Sequence, residues 1–148
     1  MDKFHEAINF AIEREKEAAA FYHNLQDKVK NRETIEMLRE LEAMENGHIR
    51  ILENLSEHAA INFQPKEILD LKIGDYLVSD YPNPGSTFQE VLIIAIKREK
   101  AAQELYLQMA KLFADSKNKN IFLKLAEEEA KHKLQLESFY DDVVYVEN

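Results

Sequence analysis

Apolar residues recur every three or four positions over four long stretches of the chain, the spacing typical of amphipathic helices. This pattern predicts helices over residues 2–29, 33–58, 88–114 and 117–140. The polar connections at 30–32 and 115–116 are short, as expected for turns between antiparallel helices, and Ser116 is a candidate N-cap. Residues 62–85 contain all three prolines and two of the three glycines, but also many apolar side chains. We interpret them as a crossover that packs along the helices and includes a short helix of its own.

A short turn, a long crossover and a second short turn describe the connectivity of one family of antiparallel four-helix bundles. The sequence therefore predicts an all-α fold in a single domain over residues 1–148, with the long crossover between helices 2 and 3. Two helical hairpins from a duplicated gene, meeting in a helix-swapped dimer, would build the same core and form the alternative.

Composition narrows the class of protein. The formal charge of −9 argues against a nucleic-acid partner, because binding to phosphates needs clustered Lys and Arg. The absence of cysteine excludes disulfides, thiolate metal sites and iron–sulfur clusters within this sequence. No apolar run approaches the roughly 20 residues of a membrane helix, and residues 1–6 do not resemble a signal segment. We therefore expect a cytoplasmic protein with no membrane partner.

Six metal-binding side chains interrupt the apolar stripes of the four predicted helices. They form two sets of identical composition: Glu15, Glu45 and His48, and Glu99, Glu129 and His132. Each member of the second set follows its counterpart by 84 positions, and each Glu-x-x-His pair shares one helix face. Tyr22 and Tyr106 repeat with the same offset, seven residues after the first Glu of each set. By contrast, His5, His23 and His58 have no counterpart in the other half and are not interpreted as ligands.

The repeated set predicts a site for two metal ions. Residues at equal distances from the two short turns lie at one level of a bundle, so all six side chains could meet in one layer. Four carboxylates in an apolar core cannot all ionise without compensating charge, and two divalent cations would balance them. Carboxylate and imidazole donors suit iron or manganese. The hydroxyls of Tyr22 and Tyr106 could then hydrogen bond to ligand carboxylates and fix their orientation.

The segment Ala-Ile-x-x-Glu-x-x-Ala at 11–18, the tyrosine seven residues after Glu15 and the two Glu-x-x-His motifs resemble rubrerythrins, a branch of the ferritin-like superfamily. The similarity covers about residues 4–140. It implies two iron ions, with manganese or zinc as substitutes. It also implies roles for the six residues. Glu45 and Glu129 would bridge the metals, and Glu15 and Glu99 would be terminal ligands. His48 and His132 would each complete the coordination of one metal.

The resemblance further implies an oxidoreductase that reduces hydrogen peroxide or dioxygen, and a homodimer. Because this sequence lacks the cysteine-ligated module that usually supplies electrons in rubrerythrins, an external electron donor protein would be needed. The chain also has Ala102 where rubrerythrins carry an additional glutamate, and Asn46 where a bacterioferritin would have a haem-ligating methionine. The alternatives are a ferroxidase or iron-handling protein without peroxidase turnover, and a metal-stabilised interaction protein.

Overall fold

The computed structural model describes residues 3–58, 73–78 and 86–147, and it confirms the all-α prediction. The helices are α1 (Lys3–Gln26), α2 (Arg32–His58), α3 (Phe88–Ala110) and α4 (Ser116–Glu147), with a short 3₁₀ helix at Ile73–Tyr76. The described ranges contain no strand, and four long helices are consistent with the predicted four-helix bundle. In these ranges, no helix combines the length and the apolar character needed to cross a bilayer.

The chain divides into two compact units, Met1–Ile61 and Asn62–Asn148, and each contains one helical hairpin. The assignment of residues 1–148 to a single domain stays a prediction. In the first hairpin, α1 and α2 are antiparallel. At one end, Nε2 of His5 lies 3.1 Å from the carbonyl oxygen of Ser56. Towards the other end, the Gln26 amide donates to Glu42 at 2.8 Å, so polar contacts fix the pairing near both ends.

Aromatic pairs hold the second hairpin, which consists of α3 and α4. Phe88 at the start of α3 meets Phe139 near the end of α4 edge to face, with ring centroids 5.7 Å apart. At the opposite end, Phe113 stacks on Phe122 at 5.2 Å. These contacts make α3 and α4 antiparallel and set the levels at which their side chains face each other.

The N-terminal caps of α2 and α4 are equivalent. The side chain of Asn31 accepts the Thr34 N–H at 3.1 Å, and that of Asp115 accepts the Asn118 N–H at 2.9 Å. The prediction that Ser116 caps the fourth helix is therefore wrong, because Asp115 satisfies the free N–H. At the start of α3 the structure contains a capping box formed by Thr87 and Glu90.

Three predicted helix ends differ from the structure. The first and third helices were predicted to reach residues 29 and 114, but the α-helical pattern ends at Gln26 and Ala110. Tighter bonds between residues three apart follow each end, such as Lys28 N–H to Leu25 at 3.0 Å. The fourth helix continues to Glu147 instead of stopping at 140. Residues 141–147 contain neither glycine nor proline, so nothing in this segment forces the helix to stop.

Most of the predicted crossover at 62–85 lies outside the described residues. Within it, the 3₁₀ helix Ile73–Tyr76 contacts α3, in agreement with the predicted short helix that packs on the bundle. Burial raises the pKa of Tyr76 above its ordinary value, and the negative charges of Asp75 and Glu104 add to the effect. Part of the crossover therefore lies against the second hairpin.

Candidate metal centre

All six predicted ligands are buried. Each of them has an exposed fraction of at most 5%. The six residues are Glu15, Glu45, His48, Glu99, Glu129 and His132. Ionisable side chains are rarely buried to this degree unless they are paired or bind a metal. Each one replaces an apolar residue in the inward stripe of its helix, as the sequence pattern predicts.

In the first hairpin, α1 supplies Glu15 and α2 supplies Glu45 and His48; we call these three residues the first triad. Nδ1 of His48 lies 3.1 Å from Oε2 of Glu15 and 3.8 Å from Oε1 of Glu45. One ligand atom from each residue lies within 4.8 Å of the others. Antiparallel pairing produces this arrangement, because Glu15 and Glu45 are at similar distances from the turn at 30–32.

The second hairpin repeats the arrangement with Glu99, Glu129 and His132, the second triad. Nδ1 of His132 lies 3.5 Å from Oε2 of Glu99 and 3.4 Å from Oε1 of Glu129. Its three ligand atoms also lie within 4.8 Å of one another. The offset of 84 residues in the sequence therefore corresponds to the same local geometry in the two hairpins.

The donors of each triad fit a divalent metal ion. Two donors that are each about 2.1 Å from one ion are roughly 3 to 3.5 Å apart when they subtend an angle of 90–110°. The distances from each histidine to its carboxylates match or slightly exceed this range. A protonated histidine would neutralise only one of the two carboxylates, whereas a divalent ion with a neutral imidazole neutralises both. Charge and spacing thus both favour a metal.

Tyr22 and Tyr106 are buried as deeply as the triads, each 1% exposed. The Tyr106 ring contacts Phe122, with centroids 6.2 Å apart, and so contributes to the packing of the second hairpin. The sequence-based role of the two hydroxyls, as hydrogen-bond partners of ligand carboxylates, stays a prediction.

The other histidines lie away from the triads as far as the structure describes them. His5 contacts the backbone of Ser56, and Nδ1 of His23 lies 3.0 Å from Oε2 of Glu42. The side chain of His58 lies outside the described residues.

Sequence reasoning missed a surface groove of about 380 Å³ between α1 and α2, whose lining includes His23, Glu42 and Asn46. In the sequence, this groove is indicated by positions at which the residues 84 apart differ in character. The residues 84 positions later are Leu107, Ala126 and Ala130, all apolar. The two hairpins therefore contain the same types of ligand residue but differ in this region of their surface.

A family model described as Rubrerythrin matches residues 90–148. The matched range contains the whole second triad and Tyr106, so over these residues the match confirms the resemblance to rubrerythrins inferred from the motifs. The first triad precedes the matched range and is related to it by the internal repeat. No curated protein and no solved structure matches the chain.

Proposed function

We propose that the chain is a diiron-carboxylate oxidoreductase in which each triad holds one metal ion and the two ions form a pair. The observation that carries this proposal is the presence of two equivalent, buried sets of two carboxylates and one imidazole. The rubrerythrin match over residues 90–148 supports iron as the metal. The donor set is also compatible with manganese or zinc.

The proposed substrate is hydrogen peroxide, with dioxygen as the alternative oxidant. A bound pair of ferrous ions would supply one electron from each metal to the O–O bond. The protein side chains set the conditions for that chemistry. Glu15 and Glu99 would each hold one ion with the histidine of their own triad, Glu45 and Glu129 would supply the remaining carboxylates, and the surrounding apolar stripes would limit access of water.

An external electron donor is part of the proposal. Returning the centre to its reduced form after each turnover requires two electrons, and this sequence contains no cysteine with which to bind an iron–sulfur or rubredoxin-type centre. We therefore propose a separate redox protein, in the cytoplasm, as the source.

Stopped-flow measurement on protein loaded with ferrous iron without oxygen tests this function. Mixing with peroxide should oxidise the centre well above the rate of ferrous iron in buffer, and faster than mixing with dioxygen. A variant with Glu129→Ala should lose this phase, while Glu127→Ala, which changes an exposed carboxylate two residues away, should keep it. If peroxide oxidises the protein-bound iron no faster than ferrous iron in buffer, the proposed peroxidase activity is wrong.

The second candidate is iron handling, in which the site oxidises ferrous iron as cargo. Ala102 favours it, since the chain lacks the additional glutamate of rubrerythrins and its ligand set is more symmetric. Storage needs an assembly that encloses a cavity, so a monomer or dimer by light scattering would argue against it. A protein with metal-dependent stability but no redox turnover would instead support the third candidate, a metal-stabilised interaction protein.

A further inference from the structure

Two arginines lie beside the triads at equivalent positions of the two hairpins. Outside the triads, four charged residues recur unchanged 84 positions later: Glu6, Arg14, Lys16 and Glu53. Glu6 and its counterpart lie in the first turns of their helices, where the helix dipole favours an acid. Lys16 and Glu53 are exposed. Arg14 differs from these three, because it is half-buried in the middle of α1 and directly precedes a predicted ligand.

The guanidinium of Arg14 is partly removed from water. Its Cζ lies 4.6 Å from the centre of the Phe10 ring, and its Nη2 donates to Oε1 of Glu17 at 2.9 Å. The side chain is 26% exposed, and its Nε atom is buried. Arg98 in α3 is also half-buried, and its Nε atom is buried as well. Each hairpin therefore holds one partly shielded positive charge next to the first glutamate of its triad.

The packing partners of Arg14 do not recur with it. The residues 84 positions after Phe10 and Glu17 are Ile94 and Ala101, which are neither aromatic nor acidic. If the arginine served only to stack on a ring or to pair with an acid, these partners should recur together with it. What the two arginines have in common is the ligand glutamate that follows each of them.

From this repeat and this burial we infer that Arg14 and Arg98 act on the metal centre through their charge. This role rests on the proposed pair of iron ions. Consecutive helical side chains point about 100° apart, which places each guanidinium within roughly 10 Å of the neighbouring ligand carboxylate. At this distance, with an effective dielectric constant of about 20, one unit charge changes the equilibrium of another by roughly tenfold. Water and nearby acids reduce this value, so about threefold per unit charge is expected.

A fixed positive charge at this position has two effects on the centre. It weakens the binding of a divalent cation by repulsion. It also favours ferrous over ferric iron, because each electron that the centre gains removes one positive charge from beside the arginine. The two arginines thus make it easier for the external redox protein to return the centre to its reduced form, with one electron for each iron.

Zinc binding tests the first effect without any iron chemistry. Competition with a chromophoric chelator measures the affinity of the full chain for Zn²⁺. Arg14→Gln and Arg98→Gln should each bind Zn²⁺ about tenfold more tightly, since the lost charge acted on a doubly charged ion. Arg14→Lys and Arg98→Lys keep the charge but lose the planar fork, and they should bind as the unmodified protein does. A role in packing predicts the opposite result, namely weaker binding in the glutamine and the lysine variants alike.

Lys16→Gln is the matched control. Lys16 has the same charge as Arg14 and follows Glu15 just as Arg14 precedes it, but its side chain is 56% exposed. Because water and salt screen an exposed charge, the affinity for Zn²⁺ should change by less than about twofold. If Lys16→Gln changes the affinity as much as Arg14→Gln does, the assignment to the half-buried arginine is wrong.

Reductive titration of the iron-loaded protein tests the second effect. Each glutamine variant should shift the one-electron equilibrium about threefold towards the ferric form, which lowers the reduction potential by about 28 mV at 59 mV per tenfold. The lysine variants should keep the potential of the unmodified protein. An unchanged potential in both glutamine variants overturns this effect.

The two proposals fail in distinguishable ways. If the unmodified protein and all variants bind no Zn²⁺, the proposed metal centre is wrong, and the role of the arginines is wrong with it. If all of them bind Zn²⁺ with equal affinity, or if the glutamine variants bind it more weakly, the centre stands and the role of Arg14 and Arg98 is overturned.

Discussion

Nδ1 of His48 lies 3.1 Å from Oε2 of Glu15, and both residues are 1% exposed. The two residues belong to different helices, so this contact joins α1 and α2 in the middle of the first hairpin. His132 and Glu99 repeat the relationship at 3.5 Å in the second. A metal centre built from two such pairs should respond equally to equivalent changes in either hairpin, and this symmetry can be tested.

Replacing Glu15 by glutamine should lower the metal content from two ions per chain to about one, because a neutral amide is a poor ligand for divalent first-row metals. Glu99→Gln should have the same effect. Elemental analysis after loading with ferrous iron or manganese without oxygen measures it. Glu13→Gln is the control, since the Glu13 side chain is 61% exposed on the same helix. Full metal content in both triad variants would remove the basis of the proposed site.

Tyr22→Phe and Tyr106→Phe should leave the metal content unchanged and slow oxidation of the reduced centre by about tenfold, if each hydroxyl orients a ligand carboxylate. Rapid mixing with peroxide gives the rate, and metal analysis gives the occupancy. Phe122→Leu changes the packing beside Tyr106 without removing a hydroxyl, so it should lower stability and spare the rate. Equal rates in the tyrosine variants and the unmodified protein would assign these tyrosines to packing alone.

Asp115→Ala should lower the free energy of unfolding by about 1 kcal/mol, because it removes the acceptor of the Asn118 N–H at the start of α4. Ser116→Ala should change it by much less, since Asp115 is the capping residue. Urea denaturation of the two variants compares them directly. A larger loss for Ser116→Ala would contradict the cap seen in the structure.

Gly47→Ala should raise the free energy of unfolding by about 0.5–1 kcal/mol. Gly47 lies within α2, its φ is not positive, and an added Cβ would meet only the end of the flexible Arg50 side chain at 3.8 Å. Alanine therefore restricts the unfolded chain at little cost to the helix. Thermal and urea unfolding at constant metal content measure the change, and a loss of stability would mean that the glycine is needed for close contact with another surface.

The sequence predicts the positions of the triads because two patterns coincide in them. Glu15 and Glu99 each replace an apolar residue in an inward stripe, and both recur with one offset, so chance is a poor explanation for either. Helical periodicity likewise predicts four helices with their two short turns. These features depend on local spacing, which a sequence expresses directly.

Features that depend on competition between neighbouring groups could not be predicted in the same way. Asp115 and Ser116 are both good N-caps, and only the hydrogen bond to Asn118 shows which one serves. The valines after Asp142 have low intrinsic helix propensity, yet α4 continues to Glu147. The groove beside His23 exists because that residue and Glu42 come together from two helices. In the sequence, this difference between the hairpins is marked by positions at which the repeat breaks, such as His23 and Leu107.

Each triad is contained in a single hairpin, and this has a consequence for the order of assembly. His48 and Glu15 are 33 residues apart in sequence, and His132 and Glu99 are separated by the same distance. The entropic cost of bringing either set of donors together is therefore that of closing one short loop, and the long crossover does not add to it. The three residues of the first triad all precede residue 62, so gathering these side chains does not depend on the second half of the chain.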